Sequence, residues 1–397
     1  MISKKVKNIS PSLTLEITAK AKKLKSEGVS IIGFGAGEPD FNTPDFIIDS
    51  AKKALDIGFT KYTPASGTLE LRQAICDKFQ KDNGLTYTPN EIVVSSGAKS
   101  SLYHAICALV DEGDEVILPS PYWLTYPELV NLAGGKCVLV KTKKENGYKI
   151  TASELEQNIT DKTKCIILNS PNNPIGVVYT EEELRSLAKV IEKNGLYVIS
   201  DEIYEKLVYE GEKHYSIAKV NDYMKEHTVI INGMSKSYAM TGWRIGYLAA
   251  PLKIAKAAGS MQSHTTSNAC SIAQYASTTA LTDAKGEAFI DEMQKVFDER
   301  RKVMYKLLSE IKGIYCVEPK GAFYAFVDVS SYYGKSFEGE VVDGSLKFAD
   351  LALKCGVALI PGVAFGDNNF IRLSYAISKE DIVEGIKRLK GFIESLK

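Results

Sequence analysis

The sequence predicts an α/β protein in two parts: a large unit on a mainly parallel sheet covered by helices, and a smaller α+β unit. Three observations carry this. Short apolar runs alternate with helix-like connections, the alternation changes character after about residue 252, and the composition is that of a packed globular chain. With 397 residues, 45% hydrophobic and 25% charged, the chain is long enough for a large core, and disorder, coiled coil and collagen are excluded. Its 49 basic and 49 acidic side chains leave no net positive field to hold a polyanion, so nucleic acid is not expected as a partner.

The runs are EIVVSS (91–96), EVILP (115–119), CVLVK (137–141), KCIILN (164–169), LYVIS (196–200), TVIING (228–233) and IGYLAA (245–250). Strands this apolar are covered on both faces, as in parallel sheets. The connections have helical periodicity: in 181–195, Leu184, Leu187 and Ile191 form one stripe and Gly195 closes the helix. Beyond residue 252 come long helical stretches, then short strands at IYCVE (314–318), FYAFVDV (323–329), VALI (357–360) and FIRLS (370–374), and a last helix from about 379. No repeat or Gly/Ser linker intervenes, so a continuous helix is expected to join the two parts.

Seven cysteines are scattered without a C-x-x-C pair, which argues against zinc and disulfide frameworks, and no metal site is expected. The first 28 residues carry charges throughout and lack the apolar segment of a secretory signal; no stretch is apolar enough to span a membrane. A cytoplasmic location, with no membrane partner, is the expectation.

Three familiar patterns fail on inspection. Gly33, Gly35 and Gly37 lack the G-x-G-x-x-G spacing, and EPDFNTP cannot open the helix that a dinucleotide site needs. Ser96–Lys99 has the form S-x-x-K without its partner motifs, and Gly233–Ser237 lacks the second glycine of a nucleophile elbow.

What remains lies at strand ends, where open α/β sheets place their chemistry. Asp201 and Tyr204 follow LYVIS, and a buried carboxylate there needs a partner cation. Lys236 follows TVIING, with Arg244 eight residues on, before the next strand. Ser95–Lys99 opens a helix whose backbone N–H groups would bind an anion, unless Ser96 simply caps it. Asn173 supplies an amide in the turn SPNNPIG, and Trp123 a flat face or a core aromatic. Arg372 stands alone in an apolar strand, placed to grip a carboxylate or to form a structural salt bridge.

Together AGEPDF (36–41), KYTPASG (61–67), PSPYW (119–123), NSPNNPIG (169–176), SDEIY (200–204), SKSYAMTGWRIGY (235–247) and RLSYA (372–376) resemble the class I aminotransferases of fold type I, and most closely the bacterial aspartate aminotransferases. The resemblance runs along nearly the whole chain. It implies the pyridoxal-phosphate transferase fold with a seven-stranded sheet, a large cofactor-binding domain over 45–290, and a small domain built from 1–44 and 291–397. It also implies a homodimer with shared sites, and amino acids and 2-oxo acids as substrates.

By the same resemblance, Lys236 would attach pyridoxal 5'-phosphate and move the substrate's Cα proton. Asp201 would pair with the ring nitrogen, Tyr204 and Asn173 with the ring oxygen, and Trp123 would stack on the ring. The phosphate would meet the Ala98 and Lys99 amides, Ser235, Arg244 and, from a second subunit, Tyr62. Arg372 would clamp the substrate α-carboxylate beside the Gly37 backbone. Eukaryotic-type aspartate enzymes grip the distal carboxylate with a partner-subunit arginine, but the matching stretch MQSHTTSN (261–268) has none. Lys99, helped by Thr14, would serve instead. The expected reaction is transamination between L-aspartate and 2-oxoglutarate. Aromatic, prephenate or alanine aminotransferases, a C–S lyase and a non-catalytic regulator of the same fold are the alternatives.

Overall fold

The computed structural model describes residues 2–7 and 9–397. Its main sheet has seven strands in the order Ile92–Ser96, Ile245–Ala249, Thr228–Gly233, Tyr197–Asp201, Thr163–Asn169, Glu115–Ser120, Lys136–Lys141. All pairs are parallel except the two made by Ile245–Ala249, which runs antiparallel to both neighbours. The reason is chain length: residues 234–244 are too few for the crossover of about a dozen residues that a parallel return requires.

Successive strand residues face opposite layers. Val116, Cys165, Ile167, Ile199 and Ile231 pack with Leu102 and Ile106 of the helix Ala98–Leu109. On the other face, Ile117, Ile166 and Val198 meet Leu184, Leu187 and Ile191 of Glu181–Lys193, while Ile92, Val94 and Ile230 meet Leu71 and Ile75 of Leu69–Lys78. Burial on both faces explains the unbroken apolar runs, each such side chain contributing about 1.5–3 kcal/mol relative to exposure. The helix Glu181–Lys193 carries a capping box from Thr180 and Glu183 and ends before Gly195 at φ +68°.

A second, antiparallel sheet has the order Ile360–Pro361, Phe370–Ser374, Tyr324–Asp328, Tyr315–Cys316. The run 357–360, expected as one strand, divides: Val357–Ala358 pairs in parallel with Ile32–Gly33, and Ile360–Pro361 joins the second sheet at its edge, where the missing N–H of Pro361 breaks no ladder. The run 314–318 shortens to Tyr315–Cys316, since Glu318 turns to the buried guanidinium of Arg301 at 3.0 Å. A small hairpin, Ser336–Phe337 with Glu340–Val341, turns through Glu338 and Gly339, both at positive φ.

The helix Ala284–Ser309 is continuous, and its Phe297, Met304 and Leu308 pack with Ile386, Leu389 and Phe392 of the terminal helix Lys379–Ser395. Through Ile32–Gly33, the N-terminal segment also reaches this second layer. Among the described residues, no helix is long and apolar enough to cross a membrane.

Candidate active site

The carboxyl ends of the parallel strands open onto a cavity of about 300 Å³. Asp201 ends its strand at 3% exposure; its Oδ2 accepts from the Tyr126 hydroxyl at 2.8 Å and its Oδ1 from the Ile203 N–H at 3.2 Å. Burial pushes this carboxyl up to about 6, with the two hydrogen bonds pulling the other way. Tyr204 follows in the same turn, buried, its hydroxyl 2.9 Å from that of Tyr324. Asn173 is fixed by its N–H, which donates to Asn169 Oδ1 at 2.8 Å.

Lys236 sits on the single turn Met234–Ser237 directly after the strand Thr228–Gly233, with Ser235 buried beside it. The turn packs tightly because Gly233 has no side chain: a Cβ there would lie 2.9 Å from Gly246 Cα. Lys236 Nζ donates to the Gly37 carbonyl. Burial lowers its pKa to about 8; Glu38 opposes that shift, and Arg244 and Arg372 add to it.

The helix Ala98–Leu109 begins without a side-chain cap. Ser96 does not cap it, and among the described residues the Ala98 and Lys99 N–H groups meet no protein acceptor. Gly97, at φ +85°, leaves room for Arg244, whose Nη2 would lie 2.3 Å from a Cβ at that position. Gly246 packs so closely that a Cβ would stand 2.1 Å from the Ala98 nitrogen. Free N–H groups at the positive end of a helix dipole, with an arginine alongside, form an anion cradle.

Across the cavity, Arg372 is 2% exposed. It donates to Asn173 Oδ1 at 3.0 Å and to the Gly35 carbonyl at 3.2 Å, lies over the rings of Tyr324 and Phe365, and has no partner at Nε among the described residues. Lys99 Nζ lies 5.0 Å from the Trp123 ring centroid. Although much of that side chain is exposed, crowding by protein atoms, and then Arg244, lower its pKa. Thr14, near the start of the helix Leu13–Ser26, brings a buried hydroxyl without a partner among the described residues. The lining thus holds four cations, Lys99, Lys236, Arg244 and Arg372, against the one carboxylate of Asp201. Among the described residues, none of the four is in an ion pair. A buried arginine without a counter-ion is costly unless a ligand supplies the charge.

The sequence model of the aminotransferase class I and II family matches residues 29–389. The chain belongs to that family. It is 48% identical to an aspartate aminotransferase of Bacillus subtilis over 99% of each chain. An aspartate/prephenate aminotransferase of Cereibacter sphaeroides is 42% identical, over 100% of this chain and 99% of its own. The solved aspartate aminotransferase from Thermus thermophilus with maleate superposes with a TM-score of 0.93 at 40% identity, covering 99% of each chain.

Enzymes of this family are pyridoxal-phosphate-dependent, and the aminotransferase's cavity fits that cofactor. Its orphaned N–H groups and Arg244 suit a phosphate, its buried carboxylate suits a protonated ring nitrogen, and its lysine of lowered pKa suits an aldehyde. Of the residues singled out in the sequence, the structure brings Thr14, Gly37, Ala98, Lys99, Trp123, Asn173, Asp201, Tyr204, Ser235, Lys236, Arg244 and Arg372 to this one cavity. Tyr62 is not among them: it is 89% exposed and lies away from the cavity of its own chain.

Tyr126 and Tyr324 also line the cavity and were not singled out. The available signal was a phenol three residues beyond Trp123 and another inside the apolar strand FYAFVDV.

Behind Asp201, Glu202, Glu205 and His214 cluster with ligand atoms within 4.8 Å of one another. Protein groups satisfy both carboxylates. Glu202 accepts from Ser200 and Ser216 and pairs with His214 at 2.9 Å; Glu205 takes Lys78, Asn83 and Asn232. Burial alone would raise the Glu205 pKa, but Lys78, followed by His214, outweighs it and holds the carboxyl at about 2. That depressed pKa contributes stability at neutral pH that is lost as pH falls from about 4.5 toward 2. Lys78→Met leaves Glu205 buried without its ammonium partner, with only the Asn83 and Asn232 amides donating to it, and is expected to lower unfolding stability by about 3 kcal/mol in urea titrations at pH 7.

Proposed function

We propose that this aminotransferase exchanges the amino group of L-aspartate with the keto group of 2-oxoglutarate, giving oxaloacetate and L-glutamate. The observation that carries the reading is the pair of unpaired cations, Arg372 and Lys99, lining the same cavity as the lysine. Two such groups suit the two carboxylates of a C4 or C5 dicarboxylic acid. The Thermus relative, solved with maleate, accepts a molecule of that class.

When bound, pyridoxal phosphate supplies an electron sink for the pair of electrons left at the substrate's Cα. The chain's own residues do the rest. The Ala98 and Lys99 N–H groups, Ser235 and Arg244 would hold the phosphate, and Trp123 would lie against the ring. Asp201, ionised, would keep a proton on the ring nitrogen, and Tyr204 and Asn173 would donate to the ring oxygen. Arg372 fixes the α-carboxylate with two parallel N–H donors, which sets the Cα–H bond in reach of Lys236 Nζ. Lys236, with a pKa near 8, has a substantial neutral fraction at physiological pH and takes and returns that proton. Lys99 and Thr14 receive the distal carboxylate.

The reading includes a homodimer in which Tyr62 reaches the partner's phosphate site, a cytoplasmic location, and the division into 45–290 and 1–44 with 291–397. High exposure of an aromatic that its own cavity does not use supports the first of these.

Visible spectra test the assignment. A yellow band lost on adding L-aspartate alone and regained with 2-oxoglutarate is the expected result; a colourless protein that stays so with added pyridoxal phosphate would refute it. Lys99→Ala is expected to raise KM for aspartate by about 10- to 100-fold, as for loss of one charged hydrogen bond, and to change KM for an apolar amino acid by less than about twofold. Equal effects on both would remove Lys99 from substrate recognition. The Cereibacter relative's name supports a second acceptor, prephenate, tested by substituting it for 2-oxoglutarate in the second half-reaction.

A further inference from the structure

We infer that the Tyr126 hydroxyl is a positioning group for the reaction, acting through Asp201: it keeps that carboxylate ionised and aimed at the cofactor's ring nitrogen. The inference rests on the cofactor site proposed above and adds a residue that the sequence did not single out.

Tyr126 is 2% exposed, and its hydroxyl meets Asp201 Oδ2 at 2.8 Å. An ionised carboxylate can only accept, so the phenol donates. Burial raises the phenol's pKa well above its ordinary value, so it remains a donor throughout the working range. Its placement is rigid. It lies in the first turn of Thr125–Ala133, where Leu129 and Val130 pack in the same core as Leu118 and Ile167. The Trp123 ring meets the Tyr126 ring edge-on, with centroids 5.5 Å apart and planes at 86°. One side chain therefore contacts both the residue proposed to stack on the ring and the residue proposed to pair with its nitrogen.

The groups around Asp201 show why the hydroxyl matters. Burial and the adjacent Glu202 carboxylate disfavour its ionised form; Tyr126, the Ile203 N–H and the Lys236 ammonium favour it, and Tyr204 lies in the same turn. Lys236 directs one N–H to the Gly37 carbonyl and makes no hydrogen bond to Asp201 among the described residues. Without the Tyr126 hydroxyl, a single backbone N–H would remain on the Asp201 carboxylate oxygens.

The test measures the Kd of pyridoxal phosphate itself by equilibrium dialysis against full-length apoprotein between pH 5.5 and 8.5. Tyr126→Phe removes one oxygen and keeps the ring. It is expected to bind about tenfold more weakly at pH 7, with the acid loss of affinity moved up by about one pH unit, as for one charge-assisted hydrogen bond. In an Asp201→Asn background the same change should alter Kd by less than about twofold, because the group it acts through is gone. Wild-type affinity and pH profile in Tyr126→Phe, or an undiminished loss in the Asp201→Asn background, would overturn the inference and leave the cofactor site standing. A wild-type protein that does not bind pyridoxal phosphate would overturn both. Should Tyr126→Phe not fold, 3-fluorotyrosine at position 126, a stronger donor of the same shape, must move the acid loss to lower pH; no movement or the opposite one would refute the inference.

Discussion

Lys236→Ala is expected to lower transamination by at least about 10⁴-fold, while pyridoxal phosphate still binds without a covalent link. The size follows from the absence of a substitute. The other cations lining the cavity are Lys99, Arg244 and Arg372. The two arginines are too basic to give up a proton, and Lys99 lies over the Trp123 ring. With Asp201 proposed to be occupied at the ring nitrogen and burial raising the pKa of the Tyr126, Tyr204 and Tyr324 phenols, Lys236 is the group among the described lining residues suited to carry a proton to and from Cα. Single-turnover absorbance with L-aspartate measures the loss, and a fall of less than about tenfold would exclude the role. A linked expectation concerns the apoprotein. Because burial depresses the Lys236 pKa from 10.5 to about 8, wild-type stability falls as pH drops across that interval and then levels off. The variant escapes this penalty, so its advantage in thermal unfolding should grow as pH falls from about 10 to 8. A variant less stable than wild type at pH 7 would contradict the account of burial.

The large sheet was legible because parallel strands covered on both faces leave continuous apolar runs, as in Thr228–Gly233, where every residue is buried. Strand-end chemistry was legible for a related reason: Asp201 and Lys236 are polar residues that interrupt or directly follow such runs. The helix start at Ala98 was legible only in part, since glycine rather than serine precedes the free N–H groups. Contacts between distant segments left no local mark. Arg372 meets the Gly35 carbonyl 337 residues away in sequence, and Lys78 finds Glu205 from a different element, the helix Leu69–Lys78. Tyr126 and Tyr324 sit in stretches where an aromatic reads as core, and only the neighbouring hydroxyl and carboxylate show what their phenols do. The division of 357–361 between two sheets likewise depends on Ile32–Gly33, which no periodicity in either segment could announce.

Arg372→Lys is expected to reduce kcat/KM for aspartate by about 10²- to 10³-fold, although charge is retained. Arg372 spends one N–H on Asn173 and another on Gly35 and, among the described residues, has no partner at Nε, so its orientation is set by two distant segments of the chain. The ring of Tyr324, 4.3 Å from the guanidinium, covers one face. A lysine offers a point charge without the planar fork, loses the stacking, and cannot meet both protein acceptors and a carboxylate in one geometry. A loss of 10²- to 10³-fold is about 2.7–4.1 kcal/mol, inside the span of about 2–5 kcal/mol that truncating one side of a buried charge pair costs. The control is an amine of the same chain length without an α-carboxylate, which wild type and variant should process equally. If the variant lost as much on that amine, Arg372 would be supporting the site rather than reading the substrate. Stability should move the other way from activity. In the apoprotein Arg372 is a buried cation with no acidic partner among the described residues, and desolvation pushes its pKa below the ordinary arginine range. Arg372→Met, which keeps the length and removes the charge, is therefore expected to raise the thermal midpoint of the apoprotein. Maleate at saturating concentration should raise the midpoint of wild-type holoenzyme more than that of the variant, because the variant keeps Lys99 for one carboxylate and lacks the guanidinium that neutralises the other.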